Sequence, residues 1–479
     1  MNATALSLRS SNPVVKKFPI YPVVGLVSAI FSTVVAVYLI PDDPTPQGAL
    51  VFSALVMSAG LLVAPALATF ESPWAALRAE HFVVLSPIYW LLLDLIQGAY
   101  PMDRVTKGDI EWAFWSICVF ACGVWLATWI RAWRLPRLIL RSTSHVTTPK
   151  TLFRLILVFF TLGFLRFAIP SGFNPVTMID GLTGGRWQAP WARGQLGGWD
   201  SFLDHMSYFG YLLPTLTVTL AHKRGWLNRM VGASVLLTLI MIAFLAQGGG
   251  RRIVGVIIGA ALICWVLQHK KIRARDALLS ILGVGVLLAV MQFMLEFRNL
   301  GVQSLASDDW ELESEYLHVD DNFLRLSQII DLVPAQHPYI YEKQIVFILI
   351  RPIPRVLWPG KPVDAGFDLP VILEQEGASL SSSAIGEFYL SFGIFGILFG
   401  GFVYGKLGQM ISGLLSSQQP SSALVYSLGT MTLIAGMRSM QDLVLMSYSI
   451  LGWVVVSSIF FRLRAARGKS VFSFADQRP

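Results

Sequence analysis

Apolar windows long enough to cross a lipid bilayer recur along nearly the whole chain. A membrane-spanning helix needs roughly 17 to 25 mainly apolar residues, and twelve such windows can be read from the sequence. They cover about residues 18–40, 49–70, 81–100, 111–131, 152–170, 201–222, 229–247, 253–268, 277–297, 386–406, 422–439 and 442–461. The sequence therefore predicts an all-α polytopic membrane protein with about 12 transmembrane helices.

Composition and cysteine placement exclude further classes of protein. Apolar residues make up 54% of the 479 positions and charged residues only 14%, which leaves too little polar surface to cover a soluble particle of this size. Cys118, Cys122 and Cys264 all fall inside apolar windows, which argues against disulfides and against a metal cluster. We therefore expect no metal and no cofactor.

The distribution of positive charge predicts the orientation of the chain, because Lys and Arg accumulate in cytoplasmic segments. With the N-terminus inside, most Lys and Arg residues become cytoplasmic and most acidic residues face outward. We expect a cytoplasmic tail at 1–17, a single transmembrane domain at 18–461 and a basic cytoplasmic tail at 462–479. The net charge of +8 then reflects topology and requires no nucleic-acid partner.

Two outward segments, at about 171–200 and 298–385, are predicted periplasmic loops. The second is far longer than a connection requires. Within it, "DDNFLRLSQIIDLV" carries Phe323, Leu326 and Ile330 at helical spacing, which predicts a short amphipathic helix on the membrane or on the protein body. The following "QIVFILIRPIPRVLWP" is too short to span and is broken by proline, so we expect it at the outer membrane surface.

The stretch "RPIPRVLWPGKP" at 351–362 places Arg351, Arg355 and Lys361 in the second loop, beside Trp358. Proline stiffens the backbone around these cations, and guanidinium groups bind phosphate in a bidentate manner. The tryptophan could stack on a sugar ring or anchor in the headgroup layer. A diphosphate site is one interpretation, and contact with lipid headgroups and neighbouring acidic residues is the other.

A second cationic stretch, "QGGGRRI" at 247–253, places Arg251 and Arg252 directly after three glycines at the start of a predicted span. Exposed backbone donors, a helix N-terminus and two guanidinium groups together favour anion binding. A tight turn between spans also uses glycine, so a purely structural role stays open.

Further outward cations and aromatic side chains extend the candidate site. The additional cations predicted to bind diphosphate are Arg186, Arg193, Arg298 and Arg438, and the additional aromatics predicted to stack on sugar are Trp187 and Trp191. Asp94 lies within the third predicted span, where a carboxylate is costly in lipid and must face the bundle. We expect it to form an ion pair with one of the outward arginines.

"RPIPRVLWPGKP" followed by "SSSAIGEFYLSFGIFGILFG" at 381–400 resembles the oligosaccharide repeat-unit polymerases of bacterial surface polysaccharide synthesis, the Wzy or O-antigen polymerase class. The resemblance covers mainly residues 323–405 and includes the enlarged loop before the last three spans. Some members have an arginine and a glycine separated by ten residues in each of two outward loops. Arg186 with Gly197, and Arg355 with Gly366, have this spacing.

The resemblance implies a glycosyltransferase with a GT-C-like fold in the bacterial inner membrane, with its active site facing the periplasm. Its donor would be a growing glycan on undecaprenyl diphosphate, and its acceptor would be the non-reducing end of a lipid-linked repeat unit. Membrane lipid and a chain-length regulator protein would be its other partners. The arginines would stabilise the charge that develops on the diphosphate leaving group.

Such a reaction needs a base for the acceptor hydroxyl, and two residues are the main candidates. Glu387 follows a glycine at the mouth of a span, where partial burial favours proton acceptance, although it could instead pair with an arginine. His337 in "AQHPYIYEK" is its rival, and His205 and His318 are weaker candidates.

Two other functions stay open at this stage. A lipid-linked oligosaccharide flippase would bind the same diphosphate without chemistry, although flippases usually have short loops and two similar halves. An O-antigen ligase would transfer finished polymer, and that class usually carries a histidine motif in its large outward loop, for which the chain has no convincing counterpart.

Overall fold

The computed structural model describes residues 20–145, 147–185, 187–192, 202–247, 250–269, 272–297, 316–351, 353, 355–362, 364–374, 380–417, 419 and 421–475. Regular secondary structure within these residues is entirely helical. Ten of the helical segments described are long and apolar enough to cross a membrane. The predicted all-α polytopic membrane architecture is therefore confirmed.

Some of the N-terminal helices begin where the sequence supplies a capping side chain. Thr106 and Asp109 form a capping box at one helix, and Thr148 accepts a hydrogen bond from the backbone of Thr151 at another that begins with Pro149. Such caps satisfy the backbone N–H groups left free at a helix start. The helices are α1 Ile20–Tyr38, α2 Val51–Glu71, α3 Pro73–Ala76, α4 Ala79–Pro87, a π-helical turn Ile88–Leu92, α5 Leu93–Gln97, α6 Lys107–Trp129, α7 Arg137–Thr143, α8 Pro149–Ala168 and α9 Pro175–Thr183.

The predicted span at 201–222 is two helices with a break between them. Pro214 lies in the first turn of the second helix, and because its ring would clash with the carbonyl of Gly210, a continuous helix is disfavoured. The middle helices are α10 Leu203–Gly210, α11 Leu213–Arg224, α12 Arg229–Gln247, α13 Arg251–Gln268 and α14 Ala274–Phe297.

The C-terminal part consists of α15 Asn322–Leu332, α16 Lys343–Ile350, α17 Leu369–Ile372, α18 Ser383–Ser412, α19 Ser422–Gly436 and α20 Met440–Ala475. The α19 helix is apolar but shorter than the ten candidate spans. The α20 helix continues past residue 461, where the sequence analysis ended the transmembrane domain.

The backbones of α6 and α18 approach each other closely. A side chain at Gly123 on α6 or at Gly401 on α18 would overlap the facing backbone, and small residues permit this approach between membrane helices. The predicted amphipathic helix exists as α15 and packs against both. Nearly all of its residues are buried, so it lies within the protein body and closes one end of the bundle.

Candidate functional site

A cavity of about 370 Å³ opens at one end of the bundle, at the C-terminal ends of α8 and α12 and the N-terminal ends of α13 and α20. The topology predicted from the sequence makes this the outward end. The size is that of a small-ligand site. The polar and aromatic side chains in its wall include Arg166, Arg252, Arg351, Asp204, His205, Trp187, Trp191 and Tyr208.

Arg166 connects three parts of the cavity wall. It lies in the last turn of α8 and is almost fully buried. Its guanidinium lies 2.6 Å from the Asp204 carboxylate on α10 and donates a hydrogen bond of 2.6 Å to the backbone oxygen of Trp191. A buried cation needs such partners, so Arg166 fixes the positions of α8, α10 and the loop that follows α9.

Trp191 forms a rigid apolar wall of the cavity. Its ring meets Phe167 and Phe244 edge-on, at centroid distances of 5.5 and 5.4 Å. Its indole N–H donates to Gln247 across 3.1 Å, and Gln247 in turn donates to the carbonyl of Gly184. Aromatic packing and a satisfied indole N–H hold the ring in one orientation.

The two arginines of "QGGGRRI" have different environments. Arg252 lines the cavity and lies 2.5 Å from Asp442 on α20. Arg251 points to the segment before α15, where it lies 3.1 Å from Asp320 and donates to the backbone oxygens of His318 and Val319. Arg252 is therefore positioned to contact a ligand, whereas the contacts of Arg251 are structural.

Arg438 joins these two ion pairs into one alternating chain of charges. Its guanidinium lies 2.5 Å from Asp320 and 3.4 Å from Asp442. Burial opposes the charge of Arg438, but the two aspartates outweigh it and raise its pKa above the ordinary value. The chain ties α13 and α20 to the segment before α15. Arg438 is absent from the cavity wall that the described residues form.

Two of the three cations in the segment "RPIPRVLWPGKP" donate hydrogen bonds to backbone carbonyls of the same segment. The buried ammonium of Lys361 donates to the carbonyls of Arg351 and Ile353, at 2.7 and 2.8 Å. Burial, with nearby Arg351 and Arg355, lowers the pKa of Lys361. Arg355 donates to the carbonyls of Lys361 and Pro362. Among these cations of the described segment, Arg351 is the one that lines the cavity.

Arg351 and Trp358 of this segment differ in their position relative to the cavity. The guanidinium of Arg351 lies beside the cavity, 5.4 Å from the ring centre of Phe347 on α16. Trp358 is 42% exposed and is absent from the cavity wall that the described residues form. Of the three predicted sugar-stacking residues, Trp187 and Trp191 therefore lie together and Trp358 does not.

Neither predicted base is part of the cavity wall as the described residues define it. Glu387 is buried at the start of α18, and its carboxylate accepts a 2.7 Å hydrogen bond from the backbone N–H of Met440, the first residue of α20. His337 has its Nδ1 2.7 Å from the carbonyl of Pro338, and its ring meets Phe367 edge-on. The Glu387 carboxylate thus lies at the N-terminus of α20, where an acidic group is favourable.

Asp94 has a different partner from the predicted one. Its carboxylate accepts a hydrogen bond of 3.2 Å from the backbone N–H of Val319, and the ion pairs of the described residues do not include it. The buried carboxylate thus holds the segment before α15 against α5.

Three predicted site residues, Arg186, Arg193 and Arg298, lie outside the described residues. The structure also adds wall residues that the sequence analysis passed over, chiefly Asp204 and Tyr208. Polar residues inside the apolar window at 201–222 were the signal that could have identified them, since such residues in a span are costly and face the protein interior.

Comparison with known proteins extends over part of the chain. Residues 292–464 match the family model described as "Domain of unknown function (DUF8712)". No curated protein and no solved structure matches the chain. The matched region contains Arg351 and the start of α20, whereas Arg166, His205 and Arg252, which line the same cavity, precede it in the sequence.

Proposed function

We propose that this protein polymerises oligosaccharide repeat units in the bacterial inner membrane, as a GT-C-like glycosyltransferase with its active site on the periplasmic side. The growing glycan would move from undecaprenyl diphosphate to the non-reducing end of a lipid-linked repeat unit. The observation that carries the proposal is the cavity, which combines Arg166, Arg252 and Arg351 with tryptophan walls at the predicted outward end.

The charge of the cavity suits a diphosphate leaving group. Among the described residues, three arginines line it together with one aspartate, Asp204. Breakage of the anomeric carbon–oxygen bond leaves negative charge on the diphosphate, and fixed guanidinium groups stabilise that charge more in the transition state than in the ground state. Arg252 is held by Asp442 at 2.5 Å before substrate binds, so little reorganisation of this guanidinium would be required.

The aromatic walls suit the sugar part of the substrate. Trp191 is fixed by its indole hydrogen bond and its ring contacts, and Trp187, which is 56% exposed, lies near it in the same wall. A flat ring offers an apolar surface for the C–H face of a sugar while neighbouring polar groups meet its hydroxyls. A lipid-linked glycan presents both a sugar and a diphosphate at the membrane surface. The tryptophans of the cavity would suit the sugar, and its arginines would suit the diphosphate.

The position of the cavity supports a polymerase over a flippase. Binding sites of secondary transporters lie near the bilayer midplane and become accessible from both sides in turn. This cavity lies at the helix ends, beside the first turns of α13 and α20. A site at the surface suits a reaction between two lipid-linked substrates in one leaflet.

The proposal is tested with purified protein in lipid nanodiscs and a synthetic undecaprenyl-diphosphate-linked oligosaccharide that copies the host's surface polysaccharide repeat. We expect a ladder of products on a gel. Arg351→Ala should slow extension about a hundredfold, the scale on which one preorganised donor acts. Arg351→Lys should recover little, because an ammonium cannot make the bidentate contact.

Lys343→Ala is the matched control, since Lys343 is an exposed cation at the start of α16 and lies outside the described cavity wall. It should leave extension unchanged. Transfer of a single finished chain to a different acceptor would indicate a ligase. Movement of the lipid between leaflets without a new glycosidic bond would indicate a flippase, and either result would overturn the polymerase proposal.

A further inference from the structure

We propose that His205 is the catalytic base that removes the proton from the acceptor hydroxyl. This inference rests on the proposed function, and it places the acceptor hydroxyl beside His205 in the same cavity. Its basis is a histidine side chain whose Nδ1 has no hydrogen-bond partner among the described residues, in the wall of the cavity that the arginines assigned to the leaving group also line.

His205 combines a place in the cavity wall with a ring nitrogen that has no partner among the described residues. His205 lies on α10 and lines the cavity, and its buried Nδ1 has no hydrogen-bond partner among the described residues. The ring is held between Tyr208 on α10 and Tyr448 on α20, each with a centroid distance of 6.1 Å. Buried polar nitrogens in proteins nearly always have a partner, so an unpartnered nitrogen beside a cavity points to a ligand group that completes it.

The other candidate proton acceptors, Asp204, Glu387 and His337, already have partners. Asp204 lies 2.6 Å from Arg166, so its carboxylate is already engaged in an ion pair. Glu387 accepts from Met440, and His337 has Pro338 beside its Nδ1. A general base must come within hydrogen-bond reach of the proton that it removes, and of His205, His337 and Glu387 it is His205 that lines the cavity formed by the described residues.

The reaction step then balances within the cavity. The acceptor hydroxyl oxygen forms a bond to the anomeric carbon of the donor glycan, and its proton passes to the imidazole of His205. The bond from the anomeric carbon to the diphosphate oxygen breaks, and the electron pair leaves with the lipid diphosphate. Arg252 and Arg351 stabilise that charge, and His205 later returns its proton to water.

The experiment compares His205→Gln and His205→Asn with the parent protein, using the same synthetic lipid-linked oligosaccharide. Gln and Asn retain polarity and remove proton acceptance, so turnover should fall about a hundredfold or more, within the range reported for loss of acid–base catalysis. Retention of the lipid-linked substrate on immobilised protein should stay close to the parent value. The parent pH–rate profile should show an acid limb, because a protonated imidazole accepts no proton, and the variants should lack that limb.

His337→Gln is the matched control, since His337 lies outside the described cavity wall, and it should keep turnover and the acid limb. If the parent makes a ladder and either His205 variant extends at the parent rate, the base assignment fails and the polymerase proposal stands. If the parent makes no product, both fail. Should neither variant accumulate as folded protein, the parent profile is compared with those of His337→Gln and Glu387→Gln. An acid limb that both of these variants keep supports His205, and a flat parent profile or loss of the limb in Glu387→Gln overturns it.

Discussion

Glu387 joins the start of α18 to the start of α20. Its carboxylate accepts from the backbone N–H of Met440 at 2.7 Å, and the same junction contains a hydrogen bond from the backbone N–H of Ala384 to the carbonyl of Met437. An acidic group at a helix N-terminus stabilises the helix by about 0.3 to 1 kcal/mol. These contacts give Glu387 a structural role beside the cavity.

Two substitutions at Glu387 separate this structural role from catalysis. Glu387→Gln keeps an oxygen acceptor for Met440, so extension of the lipid-linked oligosaccharide should continue near the parent rate. Glu387→Ala leaves a buried N–H unpaired and should lower the free energy of unfolding by about 1 to 3 kcal/mol, measured as thermal denaturation in detergent. A Gln variant that is stable but inactive would identify Glu387 as the base and remove His205 from that role.

The sequence identified cationic residues near the site but could not separate neighbours of the same type. Arg251 and Arg252 are adjacent, and only the fold determines that one meets Asp320 and the other meets Asp442. These partners are distant in sequence, so no local pattern reveals them. His205 and Asp204 were more accessible to prediction, because both interrupt an apolar window.

At the scale of elements, a break in α18 positions the loop that carries Arg351. Gly393 has φ of +60° and ψ of −145°, a conformation that essentially only glycine adopts. The break frees the carbonyls of Leu390 and Ser391, which accept from the backbone N–H groups of Ile340 and Tyr341 just before α16. The loop is thereby attached to a core helix.

Gly393→Ala should disrupt this attachment. An alanine Cβ would lie 3.0 Å from the Tyr339 hydroxyl, and the positive φ adds strain of about 1 to 3 kcal/mol. We expect a lower denaturation temperature and slower extension, because α16 and Arg351 lose their support. The control is Gly232→Ala in α12, where a Cβ meets nothing within 4 Å, and alanine should leave stability unchanged or raise it. Equal stability of the two variants would contradict this account.

Helices were predicted correctly where a long apolar window defines them. Helix breaks were missed where a single residue causes them. Ten of the twelve predicted windows coincide with helices of spanning length and hydropathy, and the spacing of Phe323 and Leu326 correctly predicted α15. The break before Pro214 divides one predicted span. The break at Gly393 depends on pairing with a loop, so apolar content alone could not reveal it.

For the whole molecule, the cavity and the charged cluster beside it lie at one end of the bundle. The opposite end of α18 lies near the start of α4, where the backbone N–H of Ala79 donates to Ser412 across 2.7 Å. Lys406 near that end donates to the carbonyls of Ala127 and Ile130, which provides a cation at the C-terminus of α6. The two ends therefore carry different chemistry, and the orientation of the chain decides which substrates reach the cavity.

Cysteine labelling tests this orientation directly. Ala335, exposed between α15 and α16, lies at the cavity end, and Ser416, exposed after α18, lies at the other. Because positive charge favours the cytoplasm, a membrane-impermeant thiol reagent should modify Ala335→Cys in intact spheroplasts and should modify Ser416→Cys only after the membrane is opened. The parent protein measures the background, since Cys118 and Cys264 are buried and Cys122 is partly buried. Labelling of Ser416→Cys alone in intact cells would put the cavity in the cytoplasm, and polymerisation on the periplasmic face would then be impossible for this site.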